Sequence, residues 1–203
     1  MKTLIFLVIF AALLVVGCMD DSSLPTAPET NISSQSNSPN WIQLPDKEGM
    51  SVENQFSVTE YIDTEHGGEL IIDESYSGGP HGEVKVIAKF KIYENTVPEP
   101  LMVTMTIDDE TGAIAFSPST IFNRSADFYL KFEGLDLSNV DPDNVQFIGQ
   151  TPDNNVYPVQ YESLDIDISS GIIELKVEPF IVDYSQISYN VMEIGGIRYA
   201  FVR

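Results

Sequence analysis

The chain reads as an all-β protein, an antiparallel β-sandwich preceded by a leader and a polar tether. Three observations carry that reading. From Trp41 onward apolar residues recur with period two, the signature of strands with one buried face. Turn-forming clusters interrupt these runs about every 8–12 residues, as sandwiches and barrels require. After residue 40 no stretch sustains apolar positions at i, i+3, i+4 and i+7, the spacing of an amphipathic helix.

The first element is the leader, residues 1–17. Lys2 precedes an unbroken apolar run over residues 4–16. Thirteen residues fall short of the roughly 20 that a membrane-spanning helix needs, and fit the apolar region of a signal peptide. Residues 18–40 form the second element. Residues 19–40 hold six Ser, three Pro and three Asn, too little apolar surface to offset the entropy of ordering. A coil of that length has a root-mean-square span of about 25 Å.

Residues 41–203 form the third element, expected to be one domain. Strands are expected at 55–62, 69–73, 83–93, 101–107, 113–117, 126–133, 145–148 and 156–161. Alternation at 165–168, 173–177 and 197–201 adds three more, and 188–194 is a further candidate. In the longest run Val84, Val86, Ala88, Phe90 and Ile92 point one way, and Lys85, Lys89 and Lys91 the other. Ala126, Phe128, Leu130 and Phe132 form a similar inward face. Gly67-Gly68, Gly78-Gly79-Pro80, Asp108 to Gly112, Asp141 to Asn144, Pro152 to Asn155 and Gly195-Gly196 supply the turns.

Composition excludes several functions. With 31 Asp and Glu against 10 Lys and Arg, the formal charge is -21 and nucleic acid is not an expected partner. A single cysteine excludes a disulfide framework and a Cys-rich zinc site. No Gly-x-Ser-x-Gly elbow, Gly-rich phosphate loop or His-Glu-x-x-His motif occurs. Catalytic residues, cofactors and metal ligands are therefore expected to be none.

The end of the leader, Val15-Val16-Gly17-Cys18, resembles the lipobox of bacterial lipoproteins. The resemblance implies cleavage before Cys18, diacylglycerol on its thiol and a membrane anchor at that residue. Two or more acyl chains hold a protein stably at a bilayer. The expected location is the bacterial cell envelope, with the outer membrane or cell surface favoured over the periplasmic face.

Residues 67–135 resemble the ZU5 module, a β-sandwich of receptors, adaptors and bacterial envelope proteins. The resemblance rests on Gly67-Gly68-Glu69-Leu70, the strand from Val84 to Ile92 and the Thr-containing strand from Val103 to Ile107. It continues through Phe116-Ser117-Pro118 and Ile121-Phe122-Asn123 to Phe128–Phe132. It departs at Tyr93 to Thr96 and at Arg124. It implies a binding or spacing module, with an envelope protein or glycan as partner. Some members self-cleave at a His-Phe-Ser segment; the similar position here, Asp183-Tyr184-Ser185, lacks the histidine. The alternative is an envelope hydrolase or self-processing module.

Three residue groups remain for chemistry. His66 and His81, each beside glycines, would form a zinc set with Glu65 or Asp73 if the chain between them doubled back. As exposed turn residues they need no ligand. Asp108, Asp109, Glu110, Asp141 and Asp143 offer oxygen ligands to calcium, without the spacing of an EF-hand loop. Turns also select Asp for backbone reasons alone. Tyr93, Tyr129 and Trp41 would line a glycan- or peptide-binding face, or cover sheet edges.

Overall fold

The computed structural model describes residues 39–47, 55–180, 192–193 and 195–203. Cys18, the leader, the tether to residue 38 and Ser185 lie outside the described residues.

The strands are β1 (Phe56–Ile62), β2 (Gly68–Gly79), β3 (Gly82–Ile92), β4 (Leu101–Ile107), β5 (Ile114–Ser117), β6 (Ile121–Phe122) and β7 (Ala126–Glu133). They continue as β8 (Gln146–Gln150), β9 (Val156–Pro158), β10 (Ser163–Asp167), β11 (Ile172–Phe180), β12 (Met192–Glu193) and β13 (Arg198–Val202). Two antiparallel sheets pack face to face, a β-sandwich as the alternation predicts. One has the order β1-β4-β5-β13-β8-β9 and the other β10-β11-β7-β3-β2; β12 and β6 form a two-stranded ribbon.

Period-two sequence becomes a core because alternate side chains of each strand enter the same interlayer space. Val84, Val86, Ala88, Phe90 and Ile92 of β3 are all buried, as are Ala126, Phe128, Leu130 and Phe132 of β7. From the opposite sheet come Val103, Met105, Ile107, Phe116, Phe147, Tyr199 and Phe201. The centre is aromatic. Phe90 meets Phe116 at 4.5 Å between ring centroids, Phe180 at 5.9 Å and Phe128 at 6.2 Å. Phe116 belongs to the six-stranded sheet, so these rings join the layers.

Some elements differ from expectation. The strand expected over 69–73 runs through Gly79, and a tight hairpin returns it into β3 with pairing from Gly68↔Ile92 to Gly79↔Gly82. Gly78 and Gly79 belong to the strand end, at a register shift, and Pro80-His81 makes the turn. The strand expected over 156–161 extends only through Pro158, with one more rung beyond it, the Val159 N–H donating to Phe147 O at 3.1 Å. Of the candidate 188–194 only Met192–Glu193 lies among described strands, paired to β6.

Pro39 and Asn40, expected in the tether, already touch the fold. The Trp41 N–H donates to Pro39 O and that of Arg203 to Asn40 O, each at 3.0 Å. Trp41 itself bridges to Val202, extending the ladder beyond the short β5. Further on, the Tyr76 hydroxyl donates to Pro45 O at 2.9 Å. Burial pushes that phenol up to about 12.

Candidate functional site

His66 stands in the turn between β1 and β2, where Asp63 and Gly67 bridge the two strands. Asp63 shapes this turn. Its Oδ1 accepts the Glu65 N–H at 2.8 Å, and its Oδ2 lies 2.9 Å from His66 Nδ1. The carboxylate raises the imidazole's pKa, and the imidazole in turn lowers that of Asp63. With Nδ1 engaged, Nε2 is the free nitrogen of an exposed ring. Beside it lies an open cleft of about 360 Å³ whose walls include Glu69, Lys91, Tyr93 and Glu94.

His81 is elsewhere. It forms the β2–β3 turn, so all twelve residues of β2 separate the two histidines. At roughly 3.3 Å per residue that is about 40 Å. The zinc set imagined from Glu65-His66 and His81 is therefore not assembled. Asp73, its other candidate ligand, lies on the face of β2 that pairs across to Lys85, at 3.4 Å. Among the described residues no group of three or more His, Cys, Asp or Glu is arranged to hold a metal ion. The sequence reading missed Asp63, although an Asp opening a turn three residues before a histidine is itself a signal of local capping.

The acidic turns are occupied by their own backbone. Asp108 Oδ1 accepts from Thr111 N at 2.8 Å, Thr111 Oγ1 at 2.9 Å and Glu110 N at 3.2 Å, while Oδ2 faces Arg198 at 3.6 Å. Asp141 caps a single 3₁₀ turn, Pro142–Asn144, accepting from Asp143 N at 3.2 Å and Asn144 Nδ2 at 2.7 Å. Asp167 accepts from Ser169 and Ser170, and these bonds hold its carboxyl down to about 2. These oxygens hold turns together and do not converge as a calcium cage does.

Residues 41–203 carry nine Lys and Arg against 28 Asp and Glu, a net charge of -19. Self-repulsion of that size opposes compaction. Sodium chloride is therefore expected to raise the melting temperature by screening it. Calcium at matched ionic strength is expected to add no further rise. Thermal melts in the two salts check this, and a saturable calcium-specific rise would restore Asp108 or Asp141 as ligands.

The aromatic candidates do not form one surface. Tyr129 lies on the outer side of β7, between Lys89 of β3 and Lys176 of β11 in the register, with Lys89 Nζ 5.9 Å from its ring. Tyr93 follows β3 on that sheet and donates its hydroxyl to Asp127. Trp41 sits against the other sheet, its ring 5.9 Å from the Arg198 guanidinium.

The two outer faces differ in kind. On the five-stranded sheet, Lys131 lies 2.8 Å from Glu133 and 3.8 Å from Glu174, one part of an interleaved ionic lattice. On the six-stranded sheet, the outward positions of β1, β4 and β5 are Ser57, Thr59, Tyr61, Met102, Thr104, Thr106, Ala115 and Ser117. None is charged. Ser57 and Thr106 hydroxyls meet at 3.3 Å and those of Thr59 and Thr104 at 2.8 Å.

At a separate position, a depression of about 560 Å³ is walled by Leu44, Asp46, Pro80, Asp136 and Arg203. Asp136 there is engaged by Ser138 through both backbone and hydroxyl. Among the described residues no helix is long and apolar enough to cross a membrane.

Fold and surfaces together define an acidic, all-β sandwich with one ionic outer face and, across β1, β4 and β5 of the other sheet, a stretch of uncharged outward positions. No family model, curated protein or solved structure matches the chain.

Proposed function

We propose that the protein is a lipid-anchored module of the bacterial cell envelope, held by acylated Cys18 and acting by binding or spacing. The observation that carries the anchor is Val15-Val16-Gly17-Cys18, placing the chain's only cysteine one glycine after a thirteen-residue apolar run. The ZU5-like pattern over residues 67–135 supports a binding body, as does the contrast between its two outer faces. Wild type is expected to partition into the detergent phase and to carry a mass increment of acyl size. Cys18→Ala is expected to remain an uncleaved or aqueous-phase precursor. Wild-type protein wholly in the aqueous phase, without the increment, would overturn the anchor.

A second reading, an envelope hydrolase or self-processing module, draws on one observation. The Asp63–His66 pair lies beside a cleft and resembles the orienting half of a general base. Yet the pair is a local i,i+3 contact in an exposed turn, and no hydroxyl is hydrogen-bonded to His66 among the described residues. Intact mass after days at neutral pH separates the readings. A single unbroken chain is the expected result, and cleavage before Ser185 that is abolished in His66→Ala would establish the second.

A further inference from the structure

We propose that the open part of the six-stranded sheet's outer face, across β1, β4 and β5, is a docking surface for a neutral polysaccharide. This deepens the reading of the body as a binding module and rests on it.

The first argument is charge. Acidic residues number 31 in 203, yet none occupies the eight outward positions from Ser57 to Ser117. On the opposite sheet the outward positions of β3 and β7 include Lys85, Lys89, Lys91, Asp127, Lys131 and Glu133. Solvation alone does not require one face to be so cleared, because charged side chains are ordinary on exposed strands. Nor does a charged partner. Polyanions are repelled by the body's net charge of -19, and polycations would settle on its carboxylates instead. A partner without charge is the one whose docking is helped, since no carboxylate then has to be desolvated.

The second argument is chemistry. Ser57, Thr59, Thr104 and Thr106 form two cross-strand hydroxyl pairs on adjacent rows. Each hydroxyl has one donor and two acceptor sites, so a pair bonded to itself can still donate outward and accept. Rows repeat about 6.8 Å along the strand and strands about 4.8 Å apart, giving a flat array of regular spacing. At one end Tyr61 and Met102 are direct cross-strand partners, 58% and 53% exposed. A phenol ring and a thioether so exposed offer an apolar platform beside polar groups, suited to the alternating C–H and O–H faces of a sugar. Toward β13 the face changes: Arg198, the cross-strand partner of Ala115, is charged and exposed, and beyond it Ala200 and Ile148 are buried. The open stretch without charge is thus confined to the three strands that carry the hydroxyls.

A second copy of the chain is the competing occupant. Two bodies of -19 repel each other, and eight mostly small residues fall well below the 20–30 per partner of a stable interface.

The test uses the full-length lipidated protein in nonionic detergent, incubated with insoluble cellulose, chitin and β-1,3-glucan, and electrophoresed through dextran. Retention on at least one of these neutral polymers is expected, equal in 0.15 M and 1 M sodium chloride. Tyr61→Ala and Thr104→Glu are each expected to weaken it at least tenfold. Lys89→Glu on the opposite sheet should leave it unchanged, with melting temperatures recorded for all variants. Tyr61 is exposed on an edge strand, so its variant reads binding if Thr104→Glu fails to fold. No retention on any polymer, retention that collapses in high salt, or loss in Lys89→Glu would overturn the proposal. So would a concentration-dependent dimer abolished by Thr104→Glu, which would make a second copy the occupant. Detergent partitioning of the same samples reports the anchor separately: intact partitioning without retention sinks only the glycan surface.

Discussion

Replacing Phe128 by alanine is expected to lower the unfolding free energy by about 3–5 kcal/mol. Phe128 is 2% exposed and stands at the centre of the aromatic cluster. Its ring lies 5.7 Å from Phe180, and 6.2 Å from each of Phe90, Phe116 and Phe147. Phe116 and Phe147 come from the facing sheet. Truncation therefore removes buried area and also opens a void spanning both layers, which rigid backbone ladders on either side cannot collapse to fill. Next along β7, Tyr129 faces outward over the lysines of β3 and β11, and Tyr129→Ala is expected to cost clearly less. Urea melts of both variants check the pair. Equal losses would mean that both sides of β7 are packed alike, contrary to the alternation. Against a total stability of about 5–15 kcal/mol the Phe128 loss is a large fraction, and at the low end of that range it leaves the unfolded state appreciably populated.

That contrast shows what the sequence makes legible. On β3 and β7 apolar residues alternate with charged or polar ones, Ile87 alone excepted, so faces and strand limits follow from local order. On β2 the order fails after Asp73: Glu74, Ser75 and Ser77 are polar, and Gly78-Gly79 resembles a turn. The strand persists because β3 lies beside it and pairs residue for residue, Ser75↔Lys85, Tyr76↔Val84 and Ser77↔Glu83. Tertiary pairing overrides local preference there. The error had a consequence for the site, since a five-residue strand would have left His66 and His81 within reach of a common ligand, and a twelve-residue strand does not. The two-residue β6 is too short to carry a period. Asp63 was illegible for another reason: Glu65 adjoins His66 and Asp73 lies between the two histidines in sequence, whereas a turn recruits the carboxylate that opens it. The uncharged stretch across β1, β4 and β5 is composed of residues unremarkable singly. It becomes visible only when the registers of β1, β4 and β5 set Ser57 beside Thr106 and Thr59 beside Thr104.

Gly134→Ala is expected to be nearly as damaging as the Phe128 truncation, at about 3 kcal/mol or more, for a reason that involves no apolar burial. Gly134 follows β7 with φ +80°, a conformation that costs an L-residue about 1–3 kcal/mol. A Cβ there would also lie 2.1 Å from Glu83 O and 3.1 Å from Glu83 C. Those are backbone atoms at the start of β3, where the next ladder rung pairs Lys85 with Glu133. Relief of the overlap must move the strand that supplies five buried residues to the core. Gly82 separates the two penalties. Its φ is +96°, equally unfavourable to alanine, but a Cβ there meets nothing within 4 Å. Gly82→Ala should therefore show the conformational cost alone, about 1–3 kcal/mol, and Gly82→Asn should recover part of it, because Asn tolerates positive φ better. Gly134→Asn should recover little, since its Cβ meets the same carbonyl. Denaturant melts of the four variants give the comparison. Equal losses for the two alanine variants, or matching rescue by asparagine at both sites, would show that β3 yields to the intruding carbon and that the corner is not held by close backbone approach.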